Sequence, residues 1–527
     1  MEQEKIEKKH KRIMIYVMII SLICVVGVSY AFFTAGMSSE TSTTVRADAG
    51  TMKITYDGGA NINLAGIYPK DDVWATKTIT VTGNNTTDAE MYYKLTLVVD
   101  SNTFKTDDPL QYELVSTNTS TNGEIIPNIS KKDITGTSIE LGNGHFVKAN
   151  NAKHTYLLKI YYPKKTTSQN ANQGAAFSAH VEITSAKAPK TNGKLSELVL
   201  YNNEVKTPIT APGKEVSTAS EALLASTPDD YGTSYYFRGA VKNNYVEFAN
   251  KCWRIVRVSG DGSVKLILHN DNTAKAANPC NSANNSTTAA FARYSGTTYT
   301  SAFNTNTDDN AYVGFKYGTP GSNKYETTHA NTNNSTILTN LETWYNNNLK
   351  TYESVIDDNV WCNDKTNVTD TTYKPLWADV NGLGLGYGKN VTYYGATKRL
   401  VSTSDSAGGT GPSLKCNGEL SKINSKVGLI TADELAFAGY AYNIRNTVTY
   451  LKENTSGEWW SLSPSDYISI YANVWTVESY GTYFTTGLGG RGGRGVHDSC
   501  GVRPLISLKS TTNVTGNGSS DKPYKVV

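Results

Sequence analysis

The chain has 527 residues, too many for one ordinary core, so two or three domains are expected. Only 18% of it is charged and the net charge is +3, with five basic and three acidic side chains in the first twelve residues; the near-neutral remainder excludes an electrostatic drive towards nucleic acid. Tyr (34) outnumbers Phe (12) amid dense Asn, Thr, Ser and Gly, which suits polar β-surfaces and hydrogen-bonding loops rather than a disordered chain.

The first element is IMIYVMIISLICVVGVSYAFF, from Ile13 to Phe33, which follows Lys5, Lys8, Lys9, Lys11 and Arg12 and carries no charge. About 20 apolar residues span a bilayer, and the basic flank holds their N-terminal side in the cytoplasm, so the rest of the chain is expected to be extracytoplasmic, at the cell surface or secreted. Small residues at Ser29 and Ala31 allow signal cleavage after Ala31; uncut, residues 13–33 are a transmembrane anchor.

Residues 34–50 read as a flexible polar exit. Lys53–Tyr56, Thr76–Thr82, Met91–Val99, Tyr156–Tyr162 and Phe177–Ile183 alternate like strands, with turn residues such as Gly58-Gly59 and Gly83-Asn84-Asn85 between them, so residues 51–185 are expected to form an antiparallel sandwich. Residues 186–228, with Pro189, Pro208, Pro212 and Pro228 and a short helix near Lys194–Tyr201, read as a linker. The next domain, 229–527, opens with strands at Tyr245–Phe248, Trp253–Val258 and Val264–Leu268 and a hairpin turn at Gly260-Asp261-Gly262. Ser335 caps a helix whose Ile337, Leu338, Leu341, Trp344, Tyr345 and Leu349 form a core stripe. A strand at Val427–Ile430 leads into a helix from Thr431 to Gly439, where Asp433 and Glu434 complement the helix dipole.

Beyond the apolar segment lie five cysteines, of which Cys252 with Cys280 and Cys362 with Cys416 are the favoured disulfides, each closing a local loop; Cys500 is left over. No Cys-x-x-Cys pair occurs and the seven His are scattered, so no metal is expected. Gly487 to Gly492 matches a dinucleotide fingerprint without the strand and helix that make one work, and Gly382 to Asn390 lacks the spacing of a phosphate loop, so no cofactor is expected. His497-Asp498-Ser499-Cys500 places catalytic residue types side by side, where a strand points them to opposite faces; the chain is expected not to be an enzyme.

Between Trp459-Trp460 and Gly501, fixed apolar mass alternates with Asp466, Tyr467, Tyr471, Tyr480, Tyr483, Phe484, Arg491, Arg494, His497 and Asp498. Tyr and Arg beside Ser and Gly make the composition of a binding face, so these ten are the candidate ligand-binding residues, for an extracellular glycan or protein.

Two resemblances extend this reading. Tyr30-Ala31-Phe32-Phe33, Ala49-Gly50-Thr51-Met52-Lys53-Ile54 and the Tyr68-Pro69-Lys70-Asp71 turn resemble the camelysin and TasA family of secreted matrix-fibre proteins. That resemblance implies cleavage near Ala31, a jelly-roll-like sandwich and self-assembly by passing an N-terminal strand to the next subunit. Tyr236-Phe237-Arg238-Gly239, Trp253 to Arg257, Trp361-Cys362-Asn363-Asp364 and the ending through Gly501-Val502-Arg503-Pro504 resemble bacterial surface proteins with a C-type-lectin-like domain. This second part is also similar to the formylglycine-generating-enzyme fold and to the ligand-binding proteins of diversity-generating retroelements, which implies a displayed, diversified face. The expected fold is thus mostly β with some α: an N-terminal membrane or signal helix (1–33), a β-sandwich, then an α+β lectin-like head for adhesion. The rivals are a matrix-fibre subunit and, on the formylglycine-type scaffold, an enzyme, which would need reactive cysteines or copper ligation.

Overall fold

A computed structural model describes residues 43–48, 51–86, 90–119, 122–186, 189–370, 372–373, 391–468, 471–478, 484–485 and 494–527. The apolar segment 13–33 and Ala31 lie outside these; among the described residues no helix is long and apolar enough to cross a membrane. The protein is mostly β, 42% strand against 13% helix, with several antiparallel sheets, and it divides after Ala188 into two units, each with its own core.

In the first unit, alternation of apolar and polar residues builds two antiparallel sheets. One has six strands in the order Thr43–Asp48, Thr51–Asp57, Lys70–Asn85, Ala149–Tyr162, Gln111–Ser116 and Ile129–Asp133. The other has four, Ile62–Ala65, Ala176–Ser185, Met91–Asn102 and Ser138–Phe146. Met91, Tyr93, Leu95, Leu97 and Val99 point inward from one sheet and Ile79, Val81, Tyr156, Leu158 and Ile160 from the other, into a common core. Polar ties bridge the sheets inside it. Tyr93 Oη meets His154 Nδ1 at 2.7 Å, and Tyr56 Oη donates to the Val181 carbonyl at 2.9 Å. Burial lowers the His154 pKa, so the ring is a neutral bridge.

The second unit begins earlier than its sequence suggests. Residues 189–228 are not a linker: Asn192–Lys194 and Ala222–Asp229 are strands of its nine-stranded sheet, and the helix Leu195–Asn202 buries Leu195, Leu198 and Val199 in its core. Pro189, Pro208 and Pro212 lie between elements that pack, Pro228 is itself part of the strand Ala222–Asp229, and the apolar content of the segment suffices for burial. The centre of this sheet is Lys251–Val258, buried on both faces along all eight residues and paired with Tyr245–Phe248, Gly232–Gly239 and Val264–Asn270. At its margin Asn192–Lys194 pairs with Asn513–Thr515, and Tyr524–Val526 runs parallel to Tyr245–Phe248, so residues from both ends of the unit meet in one sheet. A seven-stranded sheet is built around Trp459–Ile468 and Tyr471–Val477. Both sheets share a core that holds Trp253, Trp344, Trp361, Trp459, Trp460 and Trp475.

The helix Thr336–Asn348 is capped by Ser335 Oγ, which accepts from Leu338 N at 3.2 Å, and it buries the expected stripe. The helix Ala432–Ala438 starts with a capping box between Thr431 and Glu434. The stretch Val427–Ile430 is buried but makes only an isolated bridge, Gly428 to Leu505; the ladder strand lies just before it, at Lys422–Ser425. Its apolar run records burial rather than pairing. The disulfides are Cys252–Cys280 and Cys362–Cys416, with Cys500 free and buried.

Candidate functional site

The hairpin Trp459–Ile468 and Tyr471–Val477 supplies the frame of the candidate face. Its tryptophans are sealed: Trp459, Trp460 and Trp475 face the core, and Trp460 Nε1 donates to the Ser301 carbonyl at 2.7 Å. Asp466 and Tyr467 belong to this frame and not to the exposed surface. Asp466 is fully buried, its carboxylate accepting from Ser465 Oγ at 2.5 Å and Asn473 Nδ2 at 2.8 Å. Burial pushes that carboxyl up to about 7, against the pull of these two donors. Tyr467 is 7% exposed and donates its hydroxyl to the Asp308 carbonyl at 3.0 Å. The two point to opposite faces of a strand that is covered on both sides, so both are buried, which a composition argument cannot see.

At the hairpin end Tyr471 is 49% exposed, its ring 6.3 Å from the exposed imidazole of His497. Arg494 and Gly495 pair with Val474 and Asn473, which brings the 494–498 segment alongside. The lack of a side chain at Gly495 leaves room for the His497 ring, which a Cβ there would meet at 2.9 Å. Arg494 pairs with Glu458, and its second nitrogen is 3.7 Å from Asp498. The pKa of Glu478 is raised by burial and by the Glu458 charge, so acidic groups outnumber the guanidinium here. Of the ten predicted residues, Tyr471, Arg494, His497 and Asp498 are thus together. Phe484 lies in a strand paired with Val477, while Tyr480, Tyr483 and Arg491 lie outside the described residues, as do both glycine-rich motifs.

Cys500 is set behind this face. Its Sγ is 3.6 Å from Glu458 Oε2, and burial followed by that carboxylate keeps the thiol protonated, opposite to what a nucleophile requires.

A second polar centre was not foreseen. In a cleft walled by the Cys362–Cys416 disulfide and the exposed Tyr231, three cations meet four carboxylates. Arg257 reaches Glu434 at 2.9 Å and Asp229 at 3.0 Å, and Lys265 reaches the same Glu434 oxygen at 3.3 Å. Arg399 grips Asp433 with two bonds of 2.7 and 2.8 Å and Asp364 with a third of 2.7 Å. Burial would raise the Glu434 carboxyl, but the Lys265 and Arg257 charges hold it down to about 2; burial brings Lys265 down to about 8 despite Glu434. Each cation is matched, so the cleft ties the helix Ala432–Ala438 to the central strand. The sequence signal was the pair of arginines inside WRIVRV, since a charge on a strand buried on both faces requires a buried partner.

Among the described residues no group of three or more His, Cys, Asp or Glu is placed to hold a metal ion. No protein-family model matches this chain, and no curated protein is significantly similar to it.

Proposed function

We propose that this chain is a bacterial extracytoplasmic surface protein whose second unit, a C-type-lectin-like head, binds an extracellular glycan or protein on the face around Tyr471, Arg494, His497 and Asp498. What supports it most is the contrast in burial along one hairpin: a frame of sealed tryptophans and an anchored Asp466 ends in an exposed tyrosine beside an exposed histidine. A rigid frame lowers the ordering cost of binding, and an aromatic ring flanked by carboxylates suits sugar hydroxyls. Two disulfides are compatible with an oxidising, extracellular location. In this reading residues 13–33 hold or export the chain, the first unit is a jelly-roll-like stalk, and 465–499 is the stretch a retroelement diversifies. No catalytic step is assigned.

The test is binding of the purified full-length protein to a glycan array and to whole cells. Tyr471→Ala with His497→Ala, both on exposed side chains, is expected to weaken binding at least tenfold without changing the unfolding midpoint; unchanged binding overturns the assigned face. A second reading, fibre assembly through the first unit, draws on the Thr43–Asp48 strand, which stands at the end of the six-stranded sheet and pairs on one side only among the described residues. Filaments in electron micrographs of the secreted protein support that reading, and a monodisperse monomer excludes it.

A further inference from the structure

Lys365 follows Cys362 by three residues and is fully buried. Its Nζ donates to the Lys316 and His329 carbonyls, both at 3.1 Å, and to Asn331 Oδ1. All three partners are neutral, and no carboxylate among the described residues pairs with it; burial alone brings the amine down to about 7. A buried ammonium without a counter-ion gains by releasing its proton, which leaves a nucleophilic lone pair. A neutral amine has only two hydrogens for three acceptors, so the lone pair must face one of them. Asn331 is the only one of the three that is a side-chain carboxamide, with a carbon open to attack and a nitrogen that can leave.

The carboxamide is held in place. Asn331 Nδ2 donates to the Leu420 carbonyl at 3.0 Å, and the backbone sits at φ +47°, a left-handed turn that Asn tolerates. His329, two residues earlier, is buried, and burial lowers its pKa to about 3, so its ring is neutral and adds no charge beside the amine. The rings of Tyr325 and Tyr394 stand edge-on to it at 4.9 and 5.8 Å.

We propose that Lys365 and Asn331 become joined by an intramolecular isopeptide bond. The neutral Nζ bonds to Cγ of Asn331, the Cγ–Nδ2 bond breaks, and one amine proton passes to the departing nitrogen, which leaves as ammonia. Nothing is oxidised or reduced, and no co-reactant is consumed. The bond ties the loop after Asn359–Cys362 to the segment before the helix Thr336–Asn348, close in sequence to the Cys362–Cys416 disulfide, with a link that reductants cannot open.

The experiment is mass spectrometry of the full-length chain, denatured and reduced so that no disulfide contributes. The expected mass is lower by one ammonia than the processed sequence requires, and a digest yields a branched peptide containing both residues. Lys365→Arg and Asn331→Ala are each expected to restore the linear mass. A wild-type chain of linear mass, with the Lys365 amine open to acetylation once denatured, overturns the proposal, as does Asn331 recovered as Asp. The decisive reading comes from the wild-type protein, so it does not depend on the variants folding, and it is independent of whether the second unit binds a ligand.

Discussion

Asp466→Asn should make the second unit more stable at neutral and alkaline pH, the reverse of the usual effect of deleting a charge. Asp466 is fully buried and its carboxyl is raised from 3.8 to about 7, so the fold prefers the protonated acid. Below the unfolded value both states hold the proton and nothing is lost. As pH rises from about 4 the unfolded chain gives up its proton first, and stability falls until the folded group also ionises near 7. Over that window the loss is about 4 kcal/mol, from 1.36 kcal/mol for each pH unit between the two values. Asparagine keeps the geometry: its oxygen accepts from Asn473 Nδ2, and its amide donates to Ser465 Oγ, whose hydroxyl turns to accept. The assay is urea unfolding of both proteins followed by tryptophan fluorescence from pH 4 to 8.5. The difference between variant and wild type should be near zero at pH 4 and grow to about 4 kcal/mol in favour of asparagine above pH 7. Other titrating groups cancel in that difference. A flat difference, or an asparagine variant less stable at pH 8, refutes the argument that Asp466 is buried as the acid.

Glu434→Gln should destabilise by about 3–5 kcal/mol at pH 7, because Arg257 and Lys265 lose their common anion in a buried cleft. Its carboxyl is held down to about 2, so the wild-type contribution is complete above the unfolded value near 4.5 and disappears as pH falls through about 2; urea midpoints of the two proteins should converge on the acid side. Replacing Cys252 and Cys280 with Ser opens a loop of 28 residues and should cost about 2–4 kcal/mol, read as a lower urea midpoint.

What the sequence revealed follows from whether the signal was local. Met91–Val99 alternates because one face is core and the other is not, and Ser335 announces a helix because its hydroxyl caps the turn directly after it. Cys252 and Cys280 were legible as a pair because each lies within or next to readable structure. The arginines of WRIVRV signalled that a buried partner was needed but not which one: Arg257 and Glu434 are 177 residues apart, and neither carries a local mark of the other. Asp466 and Tyr467 were misjudged as exposed because polar residue types suggest a surface, whereas their strand is covered on both faces and each finds a buried partner, Asn473 for one and the Asp308 carbonyl for the other. Residues 189–228 were misjudged because prolines were weighed above four buried apolar side chains, Leu195, Leu198, Val199 and Leu224.

The pairing of Asn192–Lys194 with Asn513–Thr515 bears on how the second unit can be made. Its first strand waits for one more than 300 residues later, so while the chain is synthesised that strand has no partner. Closing so large a loop is slow, and the hydrophobic strand Lys251–Val258 cannot be fully covered until Leu505–Leu508 has sealed the neighbouring Val264–Asn270. The unit therefore remains an unsealed chain through most of its synthesis, and it closes only after its last strands, Leu505–Leu508 and Asn513–Thr515, have been made.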